Sequence, residues 1–167
     1  MADLARAICP ELPTHSREEW LEEFRGTAER TRYSTVPVLL VGGPRGLRES
    51  VARLIHEQGP TRDGKFLVVN CSSMLPDANP PWFATVVEPL RGTLFLDSLE
   101  RLPLASQRQL LAWLESPAGP ACRAGDPVRC RVMAGLQTLR CCEGRPTLSL
   151  MAELLDYLDK WTLDLTQ

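Results

Sequence analysis

The run VPVLLV, Val36 to Val41, is apolar throughout and stops at Gly42-Gly43. It is too short to be a helix with a buried face, and a strand with no polar side must be covered on both faces. Similar short runs follow at Phe66–Asn70, Thr93–Asp97 and Arg131–Leu136, and Trp161–Leu165 alternates as a last strand. Helical spacing lies between them. Leu47, Val51, Leu54 and Ile55 mark a helix from Gly46 to Gln58, and Leu110, Leu111 and Leu114 mark one from Ala105 to Glu115. Thr147 is placed to cap a third, with Leu148, Met151, Leu154, Leu155 and Leu158 on one stripe. Ser16 and Glu19 fit a capping box ahead of a helix with Trp20, Leu21, Phe24 and Ala28 on one face. Strands alternating with helices predict an α/β fold, a five-stranded parallel sheet in a three-layer sandwich. Residues 76–90 are broken by prolines and leave room only for a short helix at Trp82–Val87, while 116–127 read as a turn-rich hairpin. Residues 1–15 form an N-terminal extension and 16–167 the core.

The chain has 167 residues, enough for one domain with a real core. A net charge of −2 supplies no basic field for nucleic acid or an anionic membrane, so neither is an expected partner. No run approaches a membrane span, and MADLARAICPELPTHS lacks the basic-then-apolar order of a secretory signal, so a cytoplasmic protein is expected. The six cysteines, Cys9, Cys71, Cys122, Cys130, Cys141 and Cys142, form no CxxC pair. With His15 and His56 distant in sequence, buried reduced thiols are expected and no metal site.

Ligands of parallel α/β sheets sit at the carboxyl ends of the strands, and two candidate features fall there. One is Asp97. The other is GGPRGLRE, where Gly42, Gly43, Arg45, Gly46, Arg48 and Glu49 join a strand to a helix, as phosphate-binding loops do. Three readings stay open: a tight turn required by the fold, residual phosphate binding through Arg45 and Arg48, or an Arg48–Asp97 salt bridge filling the site.

Three stretches together resemble the AAA+ domain of bacterial enhancer-binding proteins, the activators of sigma-54 RNA polymerase (the NtrC-like family). LLVGGPRGLRESVARLIH is similar to their strand, GESGTGKE loop and VARxIH helix. KFLVVNCSSM is similar to FxxxNCAAx, and GTLFLDSLERLPLASQRQLLAWLE to GTLFLDEIxxLPLxxQxxLLRVLQE. RCRVMAGLQ is more faintly similar to DVRIIAATH, and LMAELLDYLDKWTLDLT to FREDLFYRLNVVPIHLP. The resemblance implies a P-loop NTPase fold of AAA+ type with an ATP–magnesium site.

The departures from that pattern fall on the chemistry. Arg48 stands where the phosphate-binding lysine is implied; it keeps the charge but is larger and planar. Leu47 replaces the glycine before it, and Pro44 removes an amide. Asp97 matches the magnesium carboxylate, yet Ser98 replaces the glutamate that polarises water, and Asn70 loses the partner that the resemblance implies. Glu100 would lie about 7 Å further on if the strand continued. Leu136 occupies the threonine sensor position, and Met151 and Tyr157 those of the two arginine fingers. No GAFTGA-like loop lies between Cys71 and Gly92, and no helical lid follows the fifth strand. The expectation is a non-catalytic pseudo-ATPase with no cofactor, acting on another protein, possessing no direct contact with sigma-54 and forming a monomer or dimer. The alternative is a nucleotide-binding switch or slow ATPase.

Overall fold

A computed structural model describes residues 17–31, 33–73, 92–116, 130–137 and 150–165. The elements in chain order are α1 (Arg17–Arg30), β1 (Val38–Val41), α2 (Arg45–Gln58), β2 (Lys65–Asn70), β3 (Gly92–Asp97), α3 (Leu104–Glu115), β4 (Cys130–Leu136), α4 (Ala152–Leu158) and β5 (Thr162–Asp164). Single 3-10 turns follow β2 at Cys71–Ser73 and β3 at Leu99–Arg101. The five strands form one sheet in the order β2-β3-β4-β1-β5, and every pairing is parallel.

The apolar strands are read on both faces. Leu39 and Val41 of β1, with Leu94, Leu96, Val132, Ala134 and Leu136, pack against Leu110 and Leu114 of α3 and Leu154 and Leu158 of α4. Val38 and Leu40 face the other way, with Phe95, Met133 and Leu163, onto Phe24 and Ala28 of α1 and Val51, Ala52 and Ile55 of α2. Burial of both faces explains the apolar runs without alternation at Val38–Val41 of β1, residues 94–96 of β3 and residues 132–136 of β4. The three-layer parallel α/β architecture is the expected one.

Element ends differ by small amounts with identifiable causes. β1 starts at Val38, because Pro37 has no amide for a ladder and Val36 is exposed. α2 starts at Arg45 rather than Gly46, and the last helix at Ala152, with Met151 as its N-cap. The proposed caps at Ser16 and Thr147, the Trp82–Val87 helix and residues 117–127 of the hairpin lie outside the described residues. So do the N-terminal extension and four of the cysteines. Cys71 and Cys130 are free and buried, and burial pushes both thiols up to about 12. Among the described residues, no helix is long and apolar enough to cross a membrane, and no three His, Cys, Asp or Glu converge.

Candidate functional site

β1, β3 and β4 are neighbours, so their carboxyl ends bring Gly42, Asp97 and Gly135 together. Asp97 is fully buried at the end of β3. Arg48, one turn into α2, is 3% exposed and reaches back over the loop to it. Its Nε donates to Asp97 Oδ1 at 2.7 Å and its Nη2 to Oδ2 at 3.3 Å. The Nη1 donates to the carbonyl oxygens of Gly43 at 2.7 Å and Gly42 at 3.3 Å. Ser98 Oγ donates to Asp97 Oδ2 at 3.2 Å, and the half-exposed Arg45 lies 3.6 Å from the same oxygen. Of the three readings of the glycine loop, the salt bridge is the arrangement present.

The loop conformation follows from its residues. Gly42 and Gly43 have φ of 79° and 62°, a left-handed pair that glycine adopts without strain. A Cβ on Gly43 would also press on Leu165 and Leu47 at 3.1–3.2 Å. Pro44 then sets the extended entry to α2, whose first amides, of Leu47 and Arg48, bond to the Pro44 carbonyl. The phosphate-loop pattern needs residues outside the helix to wrap an anion with amides. Here Arg45, Gly46 and Leu47 are already in the helix, and the loop turns two carbonyls inward. A carboxylate and two carbonyl oxygens form a set that holds a cation.

The other expected positions divide between site and scaffold. Ser98 sits beside Asp97 in a left-handed conformation, φ 58° and ψ 46°, which costs a non-glycine residue on the order of 1 kcal/mol. That turn ends β3, so Glu100 does not continue the strand; it lies in the 3-10 turn, and its two buried carboxylate oxygens have no hydrogen-bond partner among the described residues. Asn70 is level with Asp97 in the sheet, yet its Oδ1 accepts from Ser72 N at 3.1 Å and Ser72 Oγ at 2.6 Å, capping the turn after β2. Glu49 faces outward and accepts from Arg53 Nη2 at 3.3 Å, and Gly46 has open space beside it. Leu136 is core, and its carbonyl accepts from Gly42 N at 2.9 Å, pinning the loop to β4. Met151 and Tyr157 both clamp α4 to α3. Met151 N donates to Gln107 Oε1 at 2.7 Å, and Tyr157 Oη to the Leu114 carbonyl at 3.1 Å.

A second polar group, which sequence reasoning passed over, occupies the opposite end of the sheet. Arg131 is fully buried beside Thr93, its Nη1 donating to the Thr31 carbonyl at 3.4 Å after α1. Nε and Nη2 have no partner among the described residues, and burial lowers its pKa to about 10. The carbonyl ends of α1 and α2 lie beside it, and two helix C-termini supply partial negative charge; no acidic side chain pairs with it among the described residues. Nearby, His56 Nδ1 and Thr93 Oγ1 share a 2.8 Å hydrogen bond, as do Thr93 and Thr61.

Burial pushes His56 below its ordinary 6.5, with Arg53 and Arg131 acting the same way and Glu57 opposing. The folded state therefore favours neutral imidazole. Its contribution to stability is complete above pH 6.5 and is lost as pH falls through the folded value. Urea denaturation from pH 7.5 to 5 should show wild type losing more stability than His56→Gln; parallel curves would refute this.

A strand–glycine–helix crossover on a parallel β2-β3-β4-β1-β5 sheet, with a carboxylate ending β3, defines the P-loop NTPase fold in its AAA+ form. No family model matches the chain. It is 30% identical over 129 residues to the C4-dicarboxylate transport transcriptional regulatory protein DctD of Rhizobium meliloti (strain 1021), covering 67% of this chain and 28% of that protein. The chain thus spans less than a third of the length of the curated relatives it matches. NtrX from Brucella abortus in complex with ATP superposes with a TM-score of 0.64 at 21% identity, over 96% of this chain and 41% of that one. The P-loop NTPase domain of the sigma-54 transport activator from E. coli gives 0.59 at 22% identity, over 90% of this chain and 96% of that domain. The chain is related to the AAA+ domain of the bacterial sigma-54 activators.

Proposed function

We propose that the chain is a non-catalytic AAA+ domain, a pseudo-ATPase that serves bacterial transcription or signalling by binding another protein as a regulator or scaffold. The observation that carries this reading is the Arg48–Asp97 pair. Arg48 fills the space at the end of β1 and β3, and the loop carbonyls of Gly42 and Gly43 face it. This donor set does not fit the phosphates of ATP, which need inward amides and a lysine reaching outward. Nor does Asp97, with both oxygens engaged by Arg48 and one also by Ser98, offer a free carboxylate to magnesium.

Other features support the same reading. Ser98 carries no base at neutral pH, and Asn70 is committed to the Ser72 turn. The side chains of Met151 and Tyr157 pack against the core, and neither carries the charge that an arginine finger supplies, which favours a monomer or dimer over a working ring. Phosphoryl transfer needs positioned phosphate, metal, activated water and an electrophilic arginine together, and each lacks its expected residue or has it engaged. No cofactor, nucleic acid, membrane or direct sigma-54 contact belongs to this proposal, and its place of action is the cytoplasm.

Isothermal titration with ATP, with and without magnesium, tests it. No heat of binding is expected at millimolar nucleotide. Magnesium-dependent binding that Asp97→Ala abolishes would replace this reading with a nucleotide-binding switch.

A further inference from the structure

The floor of the site is Gly135, at the end of β4 and level with Leu40 of β1. A Cβ there would lie 2.6 Å from Asp97 Oδ1, 3.1 Å from Phe95 Cζ and 3.2 Å from Arg48 Nε. Phe95 is fully buried in the core, so a strand moving away from Asp97 meets a packed ring rather than solvent. Asp97 Oδ1 ends a short side chain and accepts Arg48 Nε, while its other oxygen accepts from Arg48 Nη2 and Ser98. It cannot retreat from a methyl group and keep these bonds. In the DVRIIAATH stretch that RCRVMAGLQ resembles, the same position is alanine.

We propose that Gly135 is the specificity-determining residue of this site. By omitting one methyl group it admits the guanidinium of Arg48 onto both oxygens of Asp97, so that the site holds the chain's own side chain and excludes an outside ligand. The inference rests on the reading that the site is closed by Arg48. Its physical basis is the shape of the cation. Arginine presents Nε and Nη2 as a planar fork to the carboxylate and turns Nη1 to the Gly42 and Gly43 carbonyls. A lysine has one nitrogen on a flexible stem and needs no clearance at the Nε position. Gly135 and Arg48 are therefore coupled, and alanine is disfavoured beside arginine and tolerated beside lysine.

The test uses the full chain as wild type, Gly135→Ala, Arg48→Lys and the double variant. Nitrogen-detected NMR follows the Arg48 Nε–H, which is buried and bonded in wild type. Gly135→Ala should speed its exchange by about tenfold or more, the equivalent of one charge-assisted hydrogen bond. Urea midpoints complete a double-mutant cycle. The shift caused by Gly135→Ala should be at least halved in the Arg48→Lys background. Unchanged Nε–H exchange, or equal midpoint shifts in both backgrounds, overturns the assignment. If Gly135→Ala does not fold, the double variant is expected to; failure of both also overturns it. A parallel ATP titration of wild type separates the two ideas. Binding there would sink the non-catalytic reading, while the exchange rate and the cycle still decide the role of Gly135.

Discussion

Arg48→Ala is expected to lose about 3–5 kcal/mol of folding stability, because it strands a buried carboxylate. Asp97 is fully buried, and only Ser98 Oγ and the half-exposed Arg45 would remain near it. Asp97→Ala should lose a similar amount, since it leaves the guanidinium buried with only two carbonyl acceptors. The pair itself need not be a large net gain. Desolvating two ions consumes most of their attraction, so Arg48→Met combined with Asp97→Leu should lie within about 1–2 kcal/mol of wild type. Urea denaturation at pH 7 checks all three proteins. Single variants no weaker than the double would mean that the pair is not desolvated in solution. The pattern bears on function, because a nucleotide would have to displace this contact before meeting Asp97.

The layers of the fold could be read directly from residues whose neighbours are local. The short strand runs read at 36–41 and 93–97, and the stripe of Val51 and Ile55, each define an element, and the sheet follows from their alternation. Gly42, Arg48 and Asp97 could be placed at one end of the sheet for the same reason. Which of three states they adopted could not, because that depends on contacts across 49 residues of chain. Gly135 escaped notice because a glycine within an apolar strand gives no hint that its missing methyl faces an ion pair from two other elements. Arg131 escaped for a related reason. A charged residue opening a strand reads as solvent-facing until two helix ends close over it. Ser98 was legible as the loss of a base, but its left-handed turn, which diverts Glu100, was not.

Gln107→Leu is expected to lose about 3 kcal/mol and to loosen the start of α4 before the rest of the domain. Gln107 is fully buried, and its amide joins two backbones that are distant in sequence. Its Nε2 donates to the Leu102 carbonyl at 2.7 Å, and its Oε1 accepts from Met151 N at 2.7 Å. Leucine matches its bulk but leaves an acceptor and a donor unpaired, each at about 1–3 kcal/mol. Gln107→Glu keeps the acceptor for Met151 and sets a carboxylate oxygen against the Leu102 carbonyl, so it should also destabilise while holding α4 better than leucine does. Hydrogen exchange at Met151–Leu155 resolves the two variants. Protection should fall there first in Gln107→Leu, while the Tyr157–Leu114 contact holds the far end of α4 in place. Uniform loss across the domain would mean that Gln107 supports the core as a whole. The expected local loss would show that Gln107 acts as an internal strap, holding the start of α4 through the Met151 amide.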